Sequence, residues 1–144
     1  MVREANAGDL DALLRLYLFL HETGVPEDGP ALRDAWARIM SDDWHHIIIN
    51  EVDGVPAASC VCVVVPNLTR DARPYALIEN VVTHAAYRRQ GLARACMDRA
   101  VELAREAGCY KVMLMTGAKD AGTLDFYRKC GFSSADKTAF IQWL

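Results

Sequence analysis

Glu79-Asn80-Val81-Val82-Thr83-His84-Ala85-Ala86-Tyr87-Arg88-Arg89-Gln90-Gly91-Leu92-Ala93 is the stretch whose reading decides the fold: a β-type run passes through a basic, glycine-containing turn into a helical pattern. A helix start leaves several backbone N–H groups unpaired and carries roughly half a positive charge from its aligned peptide dipoles. The stretch therefore predicts an anion-binding junction, of the kind that suits a phosphate. Gly91, without a Cβ, lets a ligand approach the backbone closely.

Downstream, Leu92, Cys96, Ala100, Leu103 and Ala107 recur at spacings of three and four, and Gly108 supplies a C-terminal stop. Residues 110–116 return to a β pattern, so strand, helix and strand form a unit whose two strands run parallel. A short helix over 123–130, stopped by Gly131, and a final β run over 138–144 complete this half. Working back from the junction, Tyr75–Thr83 is the strand that feeds it, and 66–74 is a polar connection. His45–Val52 and Val55–Val65 are β-rich runs joined by Asp53-Gly54, a two-residue hairpin signal that makes them antiparallel neighbours. Residues 2–5 open the chain as a strand, and Asn6 to Asp9 supply cap chemistry for a first helix up to His21. After a Gly-, Pro- and acid-rich connection, a second helix runs from Ala31 to about Met40. The predicted order is β-α-α-β-β-β-α-β-α-β, an α/β domain with a mixed central sheet.

Composition bounds the function. At 144 residues, 52% hydrophobic and 24% charged, the chain reads as one globular domain over 1–144. It has no apolar run near the ~20 residues of a membrane span and no signal-type N-terminus, which makes the cytoplasm the expected location. A net charge of −3 without a broad basic stretch argues against nucleic-acid binding. Five cysteines, several of them inside apolar runs, read as reduced core thiols, and no Cys/His cluster has metal-ligand spacing. Neither Gly-x-x-x-x-Gly-Lys nor Gly-x-Gly-x-x-Gly is present, which removes the common nucleotide-binding readings.

Two motifs then stand in order: Arg88-Arg89-Gln90-Gly91-Leu92-Ala93 after a strand, and Phe126-Tyr127-Arg128-Lys129-Cys130-Gly131-Phe132 late in the chain. They resemble the GCN5-related N-acetyltransferase (GNAT) family, convincingly from Glu79 to Phe132. The resemblance implies a sheet with diverging central strands and acetyl transfer from acetyl-CoA directly to a primary amine of a small molecule. By it, Val81, Val82 and Thr83 would meet the thioester arm and Arg88, Arg89, Gln90, Gly91, Leu92, Ala93 and Arg94 the pyrophosphate. Ala93 replaces a glycine common in the family, and Asp120 stands where many members carry a cofactor-contacting Asn. Ile78-Glu79-Asn80-Val81-Val82 and Lys129-Cys130-Gly131-Phe132 are similar to glucosamine-6-phosphate N-acetyltransferases, but Leu114-Met115-Thr116 lacks the Asp those enzymes carry. That acceptor is the alternative, as is a non-catalytic acyl-CoA-binding module. A homodimer is also within the family's habit.

The chemistry assigns two further roles. An alkyl ammonium with a pKa of about 10.4 is neutral in only about one molecule in a thousand at pH 7, so the acceptor must lose a proton before attack. By the resemblance Glu79 is the candidate base, as against a strand-end carboxylate in a local ion pair. His84 is the rival by its pKa near 6.5, as against a surface turn residue. By the same resemblance Tyr127 is the candidate acid for the departing thiolate, as against a helix residue packing beside Phe126.

Overall fold

The computed structural model describes residues 1–144. Five strands form one sheet in the order β1-β2-β3-β4-β5: β1 Val2–Glu4, β2 His45–Val52, β3 Val55–Val65, β4 Tyr75–Thr83 and β5 Val112–Leu114. The first three junctions are antiparallel and β4–β5 is parallel, as a strand-helix-strand unit requires. The helices are α1 Leu10–Tyr17, α2 Pro30–Met40, the single turn α3 Thr69–Ala72, α4 Leu92–Glu106 and α5 Ala121–Lys129.

Local chemistry explains most of the boundaries. Asp53 and Gly54 both take positive φ, 51° and 76°, so the β2–β3 hairpin turns as a two-residue loop that matches strand twist. Asn6 and Asp9 form a reciprocal cap before α1, with Asn6 N donating to Asp9 Oδ2 at 2.7 Å and Gly8 N to Asn6 Oδ1 at 2.9 Å. Arg3 locks that cap to the sheet by bonding both Asp9 oxygens, at 2.7 and 2.8 Å, and Glu51. Helix α4 ends on Gly108 at φ 77°, where Cys109 N donates to Ala104 O and Gly108 N to Arg105 O. The end of α5 repeats this pattern at Gly131, with Phe132 N donating to Tyr127 O.

The sheet is covered on both faces. On one, Cys96, Met97, Ala100, Leu103 and Ala104 of α4 pack against Ile48, Ala58, Cys60, Cys62, Ala76 and Ile78; the small residues let helix and sheet approach closely. On the other, Leu13 of α1 meets Ile47, Ile49 and Val61, with Trp36 and Ile39 of α2 at the margin. All five cysteines are free thiols, and burial pushes Cys62 up to about 11 and Cys96 up to about 12, as core thiols require.

One predicted element is corrected. Residues 138–144 form no strand: they pair with none of the five strands of the sheet. The β run predicted over 110–116 is also shorter, pairing only from Val112 to Leu114.

Candidate active site

The site grows out of an irregularity in β4. Ser59 pairs with Val82 and Val61 with Glu79, so Asn80 and Val81 together face Cys60 alone. This is a β-bulge, with Asn80 held at φ 51°. Pairing with β5 stops at Ile78–Leu114, which leaves the β5-side edge of β4 unpaired from Glu79 onward. A cleft of about 760 Å³ opens beside this freed part of β4, between the start of α4 and α5.

Val81, Val82 and Thr83 form the strand wall of that cleft. Beyond Thr83 the His84 Nδ1 accepts from Ala86 N at 3.1 Å and starts a 3₁₀ turn, Ala85–Tyr87. Arg89 at φ 63° and Gly91 at φ 80° then turn the chain into the α4 axis. No side chain caps α4, so its first amides stay open to an anion. Arg88, Arg89, Gly91, Leu92, Ala93 and Arg94 line this mouth. Arg88 Nε reaches Thr83 O at 3.5 Å, and neither Arg88 nor Arg89 is engaged in an ion pair. Gln90 lies off the wall, with its amide toward Ala86 O at 3.5 Å.

Helix α5 forms the facing wall and brings Tyr127 into the cleft. Burial pushes the Tyr127 hydroxyl above its ordinary range, with smaller contributions from Cys130, Cys60 and the Glu79 carboxylate. Tyr127 thus stays protonated at neutral pH. Asp120 caps α5 by accepting from Thr123 N at 2.8 Å, and that bond to the backbone holds its carboxyl below the usual range. It lines the cleft as a capping residue.

Glu79 is not on the cleft wall. Its register partner Val61 packs toward α1, so the exposed Glu79 belongs to the α1 face of the sheet rather than to the cleft. His84, the rival base, has Nδ1 committed to its cap and its ring stacked 4.3 Å from Phe19 and 5.4 Å from Tyr87.

A second, smaller cleft of about 220 Å³ touches β4 at Asn80, the residue next to Val81. Tyr17, Glu22 and Asn80 are its polar members, and Leu14 and Leu20 are among its apolar ones. Burial pushes the Tyr17 hydroxyl up to about 12, which keeps it neutral. The bulge therefore brings two clefts to adjacent residues of one strand. Sequence reasoning missed Phe19 and Tyr87 in the larger cleft and Tyr17 and Asn80 in the smaller. Asn80 and Tyr87 had a usable signal, lying in the quoted stretch; Phe19 and Tyr17 reach the clefts from some sixty residues earlier, which no local pattern reports.

A strand bulged and parted from its parallel neighbour, with an uncapped helix at the mouth, is the architecture of an acetyltransferase fold. A putative acetyltransferase from Agrobacterium tumefaciens superposes with a TM-score of 0.90 at 40% identity over 99% of both chains. The description "Acetyltransferase (GNAT) family" matches residues 10–132, and the chain belongs to that family. An uncharacterized N-acetyltransferase of Methanocaldococcus jannaschii is 28% identical over 99% of this chain. A glucosamine 6-phosphate N-acetyltransferase of Trypanosoma brucei brucei is 33% identical over 63% of it. The chain spans 64% and 60% of the lengths of these two relatives.

Proposed function

We propose that the chain is an N-acetyltransferase that uses acetyl-CoA to acetylate a primary amine of a small molecule. The observation that carries this reading is the bulge in β4, which sets a cleft with an anion-accepting mouth beside a second cleft suited to an amine. The larger cleft fits the donor: its mouth offers uncapped α4 amides and unpaired arginines, and its strand wall offers backbone groups with no β5 partner. Acetyl-CoA supplies an acetyl group activated as a thioester.

In this reading Arg88, Arg89 and the amides after Gly91 hold the pyrophosphate, and Val81 to Thr83 orient the pantetheine arm. The Tyr127 hydroxyl gives the proton that the departing sulfur takes up. From ordinary values this transfer is uphill by about 1.5 pKa units, roughly 2 kcal/mol, and burial of Tyr127 adds to that. Tyr127 consequently acts mainly by holding its hydrogen bond to sulfur as charge develops there. Glu79, on the α1 face beside the bulge, takes the acceptor's proton through water.

Glu22 is the only charged residue of the smaller cleft, which has no Lys or Arg. That favours a cationic amine over a sugar phosphate, whose phosphate would find no counter-charge there. Turnover with a panel of diamines, amino sugars and glucosamine 6-phosphate tests the reading. Tyr127→Phe should retain acetyl-CoA affinity and lose at least about tenfold in kcat. Glu79→Gln should lose most at low pH, where fewer amines are already neutral. Saturable acetyl-CoA binding without turnover on any amine would instead identify a binding module.

A further inference from the structure

The floor of the smaller cleft holds a polar group that the chain itself does not satisfy. Ser59 of β3 pairs with Ile49 on one side and Val82 on the other, which turns its side chain to the α1 face of the sheet. Its hydroxyl is fully buried and has no partner within hydrogen-bond range. The Tyr17 hydroxyl, at the end of α1, is the polar group that faces it. Val82, the register partner of Ser59, also lines the larger cleft, and Asn80 of the smaller cleft lies next to Val81 of the larger, so this floor adjoins the donor's wall. Glu22 stands at the rim, in a connection whose residues 21–28 are all exposed. It enters no ion pair, whereas Asp28 of the same connection is held by Arg33. Leu14, Leu20 and Pro26 give the cleft its apolar wall, and its volume of about 220 Å³ lies below the roughly 300 to 1,000 Å³ of sites for drug-sized ligands.

Resting on the acetyltransferase reading above, we infer that the smaller cleft takes a short aliphatic diamine: its reacting nitrogen donates to the Tyr17 hydroxyl, its methylene chain lies against Leu14, Leu20 and Pro26, and its far ammonium faces Glu22. Tyr17 then donates onward to Ser59 Oγ, which gives the buried hydroxyl its missing partner. The nitrogen keeps its lone pair for the thioester carbonyl. As the C–N bond forms the C–S bond breaks, Glu79 receives the surplus proton through water and Tyr127 supplies one to sulfur. Other amines leave something unmet. A monoamine gives Glu22 no counter-charge, an amino sugar sets hydroxyls against the apolar wall, and a phosphate adds charge of the same sign as Glu22.

Initial rates at saturating acetyl-CoA, with putrescine and cadaverine against butylamine and pentylamine, test this. Per amine group, each diamine should exceed the monoamine of its length about threefold to fivefold in kcat/KM, the upper range for an exposed ion pair, and Glu22→Gln should abolish that ratio. Tyr17→Phe keeps the ring and removes only the hydroxyl. It should lower kcat/KM at least about tenfold for diamine and monoamine alike, with circular dichroism and acetyl-CoA affinity retained. The inference is overturned, and the acetyltransferase reading left standing, by turnover without a diamine preference, by a preference that survives Glu22→Gln, by faster turnover of glucosamine than of either diamine, or by an unaltered Tyr17→Phe. Acetyl-CoA bound without turnover of any amine would overturn both.

Discussion

Residues 1–106 and 107–144 both line the larger cleft but do not share one kind of stability. Every buried residue, from Asp9 to Ala104, belongs to the first segment, where α1 and α4 cover opposite faces of the sheet. The second segment carries Tyr127 and Asp120 on α5 and buries nothing fully. The mouth of α4 and the bulged strand thus stand on a closed core, whereas Tyr127 stands on a half-buried helix. Local stability should therefore fall from the mouth of α4 to α5, in step with how far the core extends.

The largest effect that sharpens this contrast comes from deleting side chains on either side of it. Ile48→Ala, in the closed segment, should cost about 3 to 4 kcal/mol in chemical denaturation. Leu114→Ala, half-buried in the open segment, should cost roughly half that. Equal costs would mean that residues 107–144 close a core after all.

Next in size is Asp9→Asn, which removes the charge that Arg3 and the Asn6 amide hold. A loss of about 2 kcal/mol at pH 7 is expected, the range for hydrogen bonds to charged groups. Its bond to Arg3 is the main reason the Asp9 carboxyl lies below its unfolded value of about 3.9, so the folded state binds fewer protons between the two values. The stability it contributes is therefore fully present above about pH 5 and lost as pH falls through the folded pKa. Denaturation midpoints of the parent and Asp9→Asn should converge on acidification; a gap that does not narrow as pH falls would contradict this role.

Smallest is Gly91→Ala. A Cβ there meets nothing within 4 Å, so the cost is only the backbone strain of φ 80°, about 1 to 2 kcal/mol. Thermal unfolding reads it, and a larger loss would reveal a packing role at the mouth of α4.

What the sequence made legible is what a few neighbouring residues encode; what it hid depends on contacts between distant segments. Asp53-Gly54, the α4 stripe ending at Gly108 and the cap at Asn6 each encode their conformation within a few residues, and the structure follows them. The mouth from Arg88 to Arg94 was legible for the same reason. The run over 138–144 was legible as a β pattern, but strand formation depends on a partner edge that the pattern does not contain. Glu79 shows a subtler limit: its place in the strand was correct, but its facing follows from the bulge at Asn80 and Val81, which only pairing with β3 reveals. Tyr17 and Phe19 were hidden because α1 reaches β4 through tertiary packing alone.

In the proposed function the cleft framed by β4, the mouth of α4 and α5 holds acetyl-CoA. Calorimetric titration with acetyl-CoA tests it most directly: one saturable site per chain is expected, weakened at least about tenfold when Arg88 and Arg89 are both changed to Gln. A flat titration, or affinity unmoved by the double variant, would contradict it.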